Sequence, residues 1–115
     1  MAQKILGQTL NAALGTPTQI YIVPASTEAS GLVLTICNTT AAASFFRVFQ
    51  DDDGTGVADV NQLYQGVDGG VNDLAAYTTT RLAIGPMSTV NGTIHVASET
   101  ASAITFTLHG TERTL

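Results

Sequence analysis

Gly31-Leu32-Val33-Leu34-Thr35-Ile36-Cys37-Asn38 is the stretch that decides the fold. Its apolar and β-branched residues favour a strand, and the run is far shorter than the roughly 20 residues that a membrane-spanning helix needs. The glycine that opens it and the polar Asn38-Thr39-Thr40 that closes it are favourable places for the chain to turn. Both faces of this strand are largely apolar, which predicts a central position in a sheet or a position beneath a partner.

A second strand-like run follows after a link of small residues: Phe45-Phe46-Arg47-Val48-Phe49. We predict that the two runs pair as a hairpin at the centre of a β-sandwich. In the second run, Phe45 and Phe49 flank Arg47 on one face. Two alternatives are open for this arginine: a guanidinium held between aromatic rings, or a solvated side chain whose stem covers them.

The last third of the chain alternates clearly between apolar and polar residues. Asn91-Gly92 predicts a tight hairpin between residues 88–90 and 93–96. In the final strand, Ile104, Phe106 and Leu108 are expected to face inward, with threonines and a histidine outward. Counting all such runs gives about eight or nine strands and no convincing helix. The sequence therefore predicts an all-β fold, a single antiparallel β-sandwich or jelly-roll-like domain over residues 1–115, with residues 1–14 as an extended N-terminal arm or first strand.

The composition favours a protein that assembles with others. Of the 115 residues, 44% are hydrophobic and only 11% are charged, against about 25% charged in a typical soluble domain. Interface centres are depleted in lysine and glutamate, so a surface covered by Thr, Ser, Asn, Gln and Gly suits repeated protein contacts. A domain of this size also has little margin for independent stability.

The charge, the first apolar stretch and the single cysteine predict the partners and the compartment of the protein. The net charge is −5 with four lysines and arginines in all, so no basic patch is expected to bind nucleic acid or an anionic membrane. Polar residues interrupt the first apolar stretch too early for a secretion signal, which predicts a protein that stays where it is made. Cys37 is the single cysteine, and we expect it to be a small apolar strand residue in a reducing compartment.

Two groups of residues could in principle hold a metal ion. Asp51-Asp52-Asp53-Gly54 resembles the start of a calcium loop, but Gln62 stands where the closing glutamate of an EF-hand would lie. A solvated acidic turn is the other interpretation of this run. His95 and His109 are expected to point outward from what could be adjacent strands, without a third ligand at metal-like spacing. No nucleophile lies in a motif with a base, and no glycine loop is suited to phosphate, so we predict neither catalysis nor a cofactor.

The chain resembles small virion structural proteins of tailed bacteriophages, of the capsid decoration (cement) or tail-associated type. Four segments carry this resemblance, and together they span most of the chain: Ala2-Gln3-Lys4-Ile5-Leu6-Gly7-Gln8, Tyr21-Ile22-Val23-Pro24-Ala25, Val33 to Thr39, and Phe106-Thr107-Leu108-His109-Gly110-Thr111-Glu112. Residues 51–79 depart from the pattern. The resemblance implies a small β-sandwich without catalytic residues.

The function implied by the resemblance is structural. We expect a non-enzymatic decoration protein that forms a homo-oligomer, with a trimer favoured, and contacts the phage major capsid protein or other virion proteins after assembly in the host cytoplasm. The N-terminal arm is expected to pair with a neighbouring chain through main-chain hydrogen bonds. Its expected interface residues are Gln3, Ile5, Leu6, Gln8 and Leu10.

Two alternative functions remain open at this point. The first is a structural protein of the tail, neck or baseplate, which sequence patterns barely distinguish from a capsid decoration protein. The second is a carbohydrate-binding sandwich, for which Tyr64 and Tyr77 are the candidate aromatic platforms in a chain without tryptophan.

Overall fold

The computed structural model describes residues 4–10, 17–51, 62–65, 73–87, 92–100 and 102–115, with residues 62–65 described by their backbone. All the regular structure in these residues is β-strand, as predicted for the fold class. The strands are β1 (Lys4–Thr9), β2 (Thr18–Ile22), β3 (Thr27–Asn38), β4 (Ser44–Asp51), β5 (Gln62–Gln65), β6 (Asp73–Leu74), β7 (Thr79–Ile84), β8 (Thr93–Ser98) and β9 (Ile104–Thr114).

The strands form two antiparallel sheets that pack face to face. The first sheet has the order β1-β9-β3-β7, and the second has the order β2-β8-β4-β5, with the short β6 paired to the start of β4. The predicted antiparallel β-sandwich is therefore confirmed.

The core lies between the two sheets and is built from alternate residues of each strand. In β3 and β9, buried and half-buried residues alternate almost without interruption, so one face of each strand points to the core. The inward positions predicted for Ile104, Phe106 and Leu108 are confirmed. The largest fully buried side chains are Phe46, Phe106, Leu32, Leu34, Ile36, Met87, Ile94, Ile104 and Leu108, with Val23, Val48 and Val96.

The predicted hairpin between the first two apolar runs is wrong. β3 pairs with β7 and β9 in the first sheet, whereas β4 pairs with β5, β6 and β8. The chain crosses from one sheet to the other between Asn38 and Ser44. The apolar faces of the two runs meet across the core instead of their edges meeting within a sheet.

Asn38 makes the hydrogen bonds that hold this crossing. Its side chain is fully buried, and its Nδ2 donates to the carbonyl oxygens of Ala42 at 2.9 Å and Leu74 at 3.0 Å. Its Oδ1 accepts from the backbone N–H of Thr40 at 2.9 Å and from the hydroxyl of the same residue at 2.8 Å. A buried amide costs little when it is fully bonded, so this side chain fixes the turn at no net penalty.

The predicted Asn91-Gly92 hairpin involves residues 88–91, which lie outside the described residues. In the described part of the chain, β8 pairs with β2 along one edge and with β4 along the other.

The two sheets differ in how their outer faces are covered. In the second sheet, Phe45, Phe49 and Ala97 are at most 6% exposed although they lie on the face opposite the main core cluster. In the first sheet, Val33 and Cys37 are only half-buried on the outer face of β3. The strand covered on both faces is therefore β4, whereas β3 has a central position with one accessible face.

Two glycines allow local distortions that the sandwich needs. Gly31 has a φ of 60° at the bulge between Ser30 and Val33, and this shift lets both Ala29 and Leu32 face the core. Gly7 lies at a bulge in β1, where the backbone carbonyl of Ile20 in β2 approaches so closely that a Cβ atom would overlap it. The two sheets thus touch at this side of the sandwich.

We expect Gly7→Ala to destabilise the fold by about 1–3 kcal/mol, because the new methyl group must push the β2 backbone away. Gly85→Ala is the matched control, since nothing lies within 4 Å of the added Cβ there and a change within about 0.5 kcal/mol is expected. Chemical denaturation of both variants measures the difference. Equal stability of the two would contradict the close approach at Gly7.

Candidate functional site

The outer face of the first sheet is an accessible surface formed by four paired strands. The strand pairings align it in rows across β1, β9, β3 and β7, such as Gln8, Thr107, Thr35 and Arg81. Arg81 carries the one fixed charge in the aligned set. The set comprises Ile5, Gln8, Val33, Thr35, Cys37, Thr79, Arg81, Ala83, Thr105, Thr107 and His109.

The residues expected at an assembly interface fall mainly in β1, which pairs with β9 of the same chain. Ile5 is 56% exposed, Leu10 is 41% exposed, and the Nε2 of Gln8 donates to Thr107 Oγ1 at 3.0 Å on the surface. Leu6 instead packs against the core, and Gln3 lies outside the described residues. Of the two alternatives for residues 1–14, the described part, Lys4–Thr9, forms the first strand.

A cluster of three polar side chains joins the two sheets at one end of the sandwich. The hydroxyl of Tyr21 in β2 donates to Glu112 Oε2 in β9 at 2.7 Å. Lys4 Nζ in β1 lies 3.0 Å from the other oxygen, Oε1. One carboxylate in β9 therefore connects β2 of the second sheet to β1, an edge strand of the first sheet.

The electrostatics of this cluster favour a charged glutamate and a neutral tyrosine. The hydrogen bond from Tyr21 is the largest cause that lowers the pKa of Glu112, followed by the bond from Lys4. Burial is the largest cause that raises the pKa of Tyr21 above its ordinary value, and the Glu112 carboxylate raises it further. The cluster is thus most stable between the acid range of a carboxyl and the alkaline range of a phenol.

We expect Tyr21→Phe to destabilise the protein by about 2 kcal/mol at neutral pH, since it removes a hydrogen bond to a charged acceptor. A lowered folded pKa stabilises above the ordinary glutamate value of 4.5, so the loss should shrink as the pH falls below 4.5. A raised tyrosine pKa stabilises below 10.0, so the wild type alone should lose stability as the pH rises past 10.0. Denaturation curves across this pH range measure both effects.

Tyr77→Phe is the matched control for this prediction, because that tyrosine is 71% exposed. It should leave stability within about 0.5 kcal/mol of the wild type. A Tyr21→Phe variant with the wild-type pH profile would show that the cluster does not couple the sheets.

Asp51 and His95 lie close together on the outer face of the second sheet. Asp51 is 3% exposed and stands opposite Thr93, whose Oγ1 lies 3.3 Å from His95 Nδ1. Burial is the main cause that lowers the pKa of His95, and the charge of Asp51 opposes this effect. The other residues of the predicted acidic loop, Asp52 to Gly54, lie outside the described residues.

The expectation that His95 and His109 lie on adjacent strands is wrong. β8, which carries His95, belongs to the second sheet, whereas β9, which carries His109, belongs to the first. Both side chains point away from the core, so they are on opposite sides of the sandwich. Within the described ranges, no three His, Cys, Asp or Glu side chains are placed to share a metal ion.

Of the two interpretations of Arg47, the structure favours contact of the guanidinium with an aromatic ring over a solvated side chain. It is half-buried, and its Cζ lies 5.5 Å from the centroid of the Phe45 ring, within the range of a cation–π contact. Cys37 is a free thiol on the outer face of the first sheet, half-buried between Thr79 and Thr105.

Sequence reasoning missed the two polar groups that organise the fold, Asn38 and the cluster of Tyr21, Glu112 and Lys4. Asn38 was recognised only as a turn residue, and its fourfold bonding depends on Leu74, 36 residues further along the chain. Tyr21 and Glu112 are separated by 91 residues. No local pattern could have identified either group, because each requires the strand order.

The described residues enclose no cavity or cleft of ligand size. They include no helix that is long and apolar enough to cross a membrane. No known protein family, curated protein or solved structure matches the chain. The outer face of the first sheet is therefore the candidate functional surface.

Proposed function

We propose that this protein is a non-enzymatic structural protein of a tailed-phage virion, specifically a capsid decoration (cement) protein. In this proposal it self-associates, with a trimer as the favoured order, and binds the major capsid protein across the joints between capsomers. The sequence resemblance in four segments along the chain supports the virion assignment. The surface of the first sheet supports a role in protein contacts, and it is the observation on which the proposal depends.

The chemistry of that surface suits protein contacts. Its aligned residues are mainly Thr, Val, Ala, Ile and Gln, with Arg81 as the one fixed charge. Burying such a surface carries little of the desolvation cost that a charged face would impose. The ion pair between Glu28 and Arg113, 2.7 Å apart, lies beyond the Gly31 bulge at one end of the same sheet.

The edge of this sheet at β1 offers the apolar anchors. Among the residues whose side chains the structure describes, Ile5 and Leu10 are two of the five large hydrophobic residues with substantial exposure, the others being Ile22, Tyr77 and Leu115. Since Leu6 already packs against the core, a neighbouring chain would contact β1 from outside while the strand stays in place. This differs from an arm that leaves its own domain.

We expect the double variant Ile5→Ser, Leu10→Ser to weaken self-association by at least about tenfold, because two apolar side chains no longer gain by burial. Ile22→Ser is the matched control, since Ile22 is 44% exposed on the second sheet. Sedimentation velocity over a range of concentrations gives the oligomer and its dissociation constant. Equal effects of both variants would exclude β1 as the assembly edge.

The copy number in purified virions distinguishes the locations within the particle. A decoration protein should be present in hundreds of copies, as measured by quantitative mass spectrometry against the major capsid protein, and should appear on the capsid in electron microscopy. A handful of copies would assign it to the tail, neck or baseplate, which is the alternative within the virion. Absence from the particle would overturn the proposal.

The carbohydrate-binding alternative has one structural observation in its favour. Tyr77 is 71% exposed and has a φ of 56°, and its backbone N–H is held by the Thr40 carbonyl oxygen at 3.2 Å. A fixed, exposed ring can stack on a sugar. The side chain of Tyr64 is outside the described residues, so this alternative depends on a single platform and ranks after the virion proposal.

A further inference from the structure

We propose that β7, the edge strand of the first sheet opposite β1, pairs antiparallel with β7 of a second copy of this chain. The two copies are related by a two-fold axis that passes through Leu82. This contact deepens the proposed self-association by naming a second surface for it. Only the role of the β7 contact in a virion rests on the proposed function.

β7 is accessible both on its outer face and along the edge that points away from β3. The first sheet ends at β7, and no described strand pairs with the edge that faces away from β3. Thr79, Arg81 and Ala83 are all exposed. An unpaired edge presents a row of backbone donors and acceptors, and such a row is a template for a further strand.

On the inward side of β7, the core is incompletely covered at this edge of the sheet. Leu82 points toward the core and packs against it, but it is only half-buried. Its partner in β3, Leu34, is fully buried in the same layer. A strand added outside β7 would cover Leu82 with a side chain from the same layer of the second copy.

The side chains of β7 select one register among the possible two-fold pairings. Directly opposed residues share a face, so an axis at Arg81 would place two guanidinium groups against each other. An axis at Thr80 would place Leu82 opposite Thr78, before the second β7 begins. An axis at Leu82 places the two leucines together, Arg81 opposite Ala83, and Thr80 opposite Ile84.

This third register is self-complementary, as a two-fold interface requires. On the outer side, the long arginine faces the small alanine, and the two arginines are separated along the strands. On the inner side, Leu82 meets Leu82, and the Thr80 side chain meets Ile84. The sequence from Thr80 to Ile84 thus fits a second copy of itself better than it fits a charged or bulky partner strand.

The size of the contact indicates a weak interaction. Five paired residues extend over about 17 Å, which is below the span of an independent stable interface. Weak contacts gain strength when many copies are held side by side. Because β1 and β7 are opposite edges of one sheet, a chain can use β1 within one oligomer and β7 to reach the next.

Cysteine pairs test the register directly. In a Cys37→Ser background, Arg81→Cys protein is mixed with Ala83→Cys protein carrying a size tag, and the mixture is oxidised with oxidised glutathione. Opposed Cα atoms of an antiparallel pair lie about 4.5–5.5 Å apart, within the range that a disulfide spans, so we expect the mixed dimer in several-fold excess over its random half share. A random distribution, an excess of the Arg81→Cys homodimer, or no cross-link overturns the proposal.

Charge substitutions test the contact without cross-linking. Ala83→Arg places an arginine opposite Arg81 on both sides of the axis, and we expect it to raise the dimer dissociation constant about tenfold at low salt. Ala75→Arg is the control, an equally exposed alanine in the turn before β7, and it should have no effect. The combined variant R81E/A83R faces opposite charges and should restore the dimer.

These measurements separate the two proposals. If the cysteine and charge variants leave self-association unchanged while β1 variants abolish it, the β7 contact is wrong and the proposed assembly stands. If the β7 dimer forms and the protein is absent from virions, the contact stands and the proposed function fails. A chain that stays monomeric at millimolar concentration and gives no cross-link overturns the β7 contact.

Discussion

Asn38 ends β3, the longest of the described strands, with a carboxamide that is fully buried and makes four hydrogen bonds. Its partners lie in the link to β4 and at the end of β6, so one side chain ties together the places where the chain changes sheets. An aspartate of the same size could not donate to the two carbonyl oxygens, and an apolar residue would make none of the four bonds. The Thr40 hydroxyl would then keep only its bond to the Ala42 carbonyl oxygen, at 3.0 Å. The four bonds of Asn38 lie where the chain crosses the core from β3 to β4, so they hold the backbone in the conformation that the crossing requires.

The two sheets differ in how far their outer faces are buried. The second sheet is buried on both faces around β4, and it encloses the Phe45–Arg47 contact and the Asp51–Thr93–His95 group. The first sheet is buried on one face only, and its half-buried outer face is aligned in rows of short, mostly uncharged side chains. Long antiparallel sheets normally have one solvated face, and charge on that face and on the edges keeps such proteins apart. Among the aligned outer positions of the first sheet, Arg81 is the one fixed charge, so this face imposes little of the charge repulsion that would oppose the proposed protein contacts.

The sequence allowed the strands and their inward positions to be predicted, but not their partners. Ile104, Phe106 and Leu108 were placed correctly because alternation is a local property with a period of two. The pairing of β3 with β4 was predicted wrongly because a short link between two apolar runs is compatible with either a hairpin or a crossing between sheets. His95 and His109 were placed side by side for the same reason, since nothing near either residue indicates its sheet. Among the candidate assembly residues, alternation places Leu6 and Gln8 on the same face, but the bulge between Ile5 and Gly7 changes the phase of β1, so Leu6 packs inward and Gln8 lies outside.

The antiparallel pairing of β1 with β9 has a mechanical consequence. Lys4 pairs with Gly110 and bridges to Glu112, so residue 4 and the end of β9 lie at the same end of the first sheet. Tension applied between these two points would load the β1–β9 ladder like a zipper, one residue pair at a time. The ten pairs between β3 and β9 would carry load only after β1 had peeled away. Under force, β1 therefore separates first, and the longer pairing of β3 with β9 resists unfolding after that.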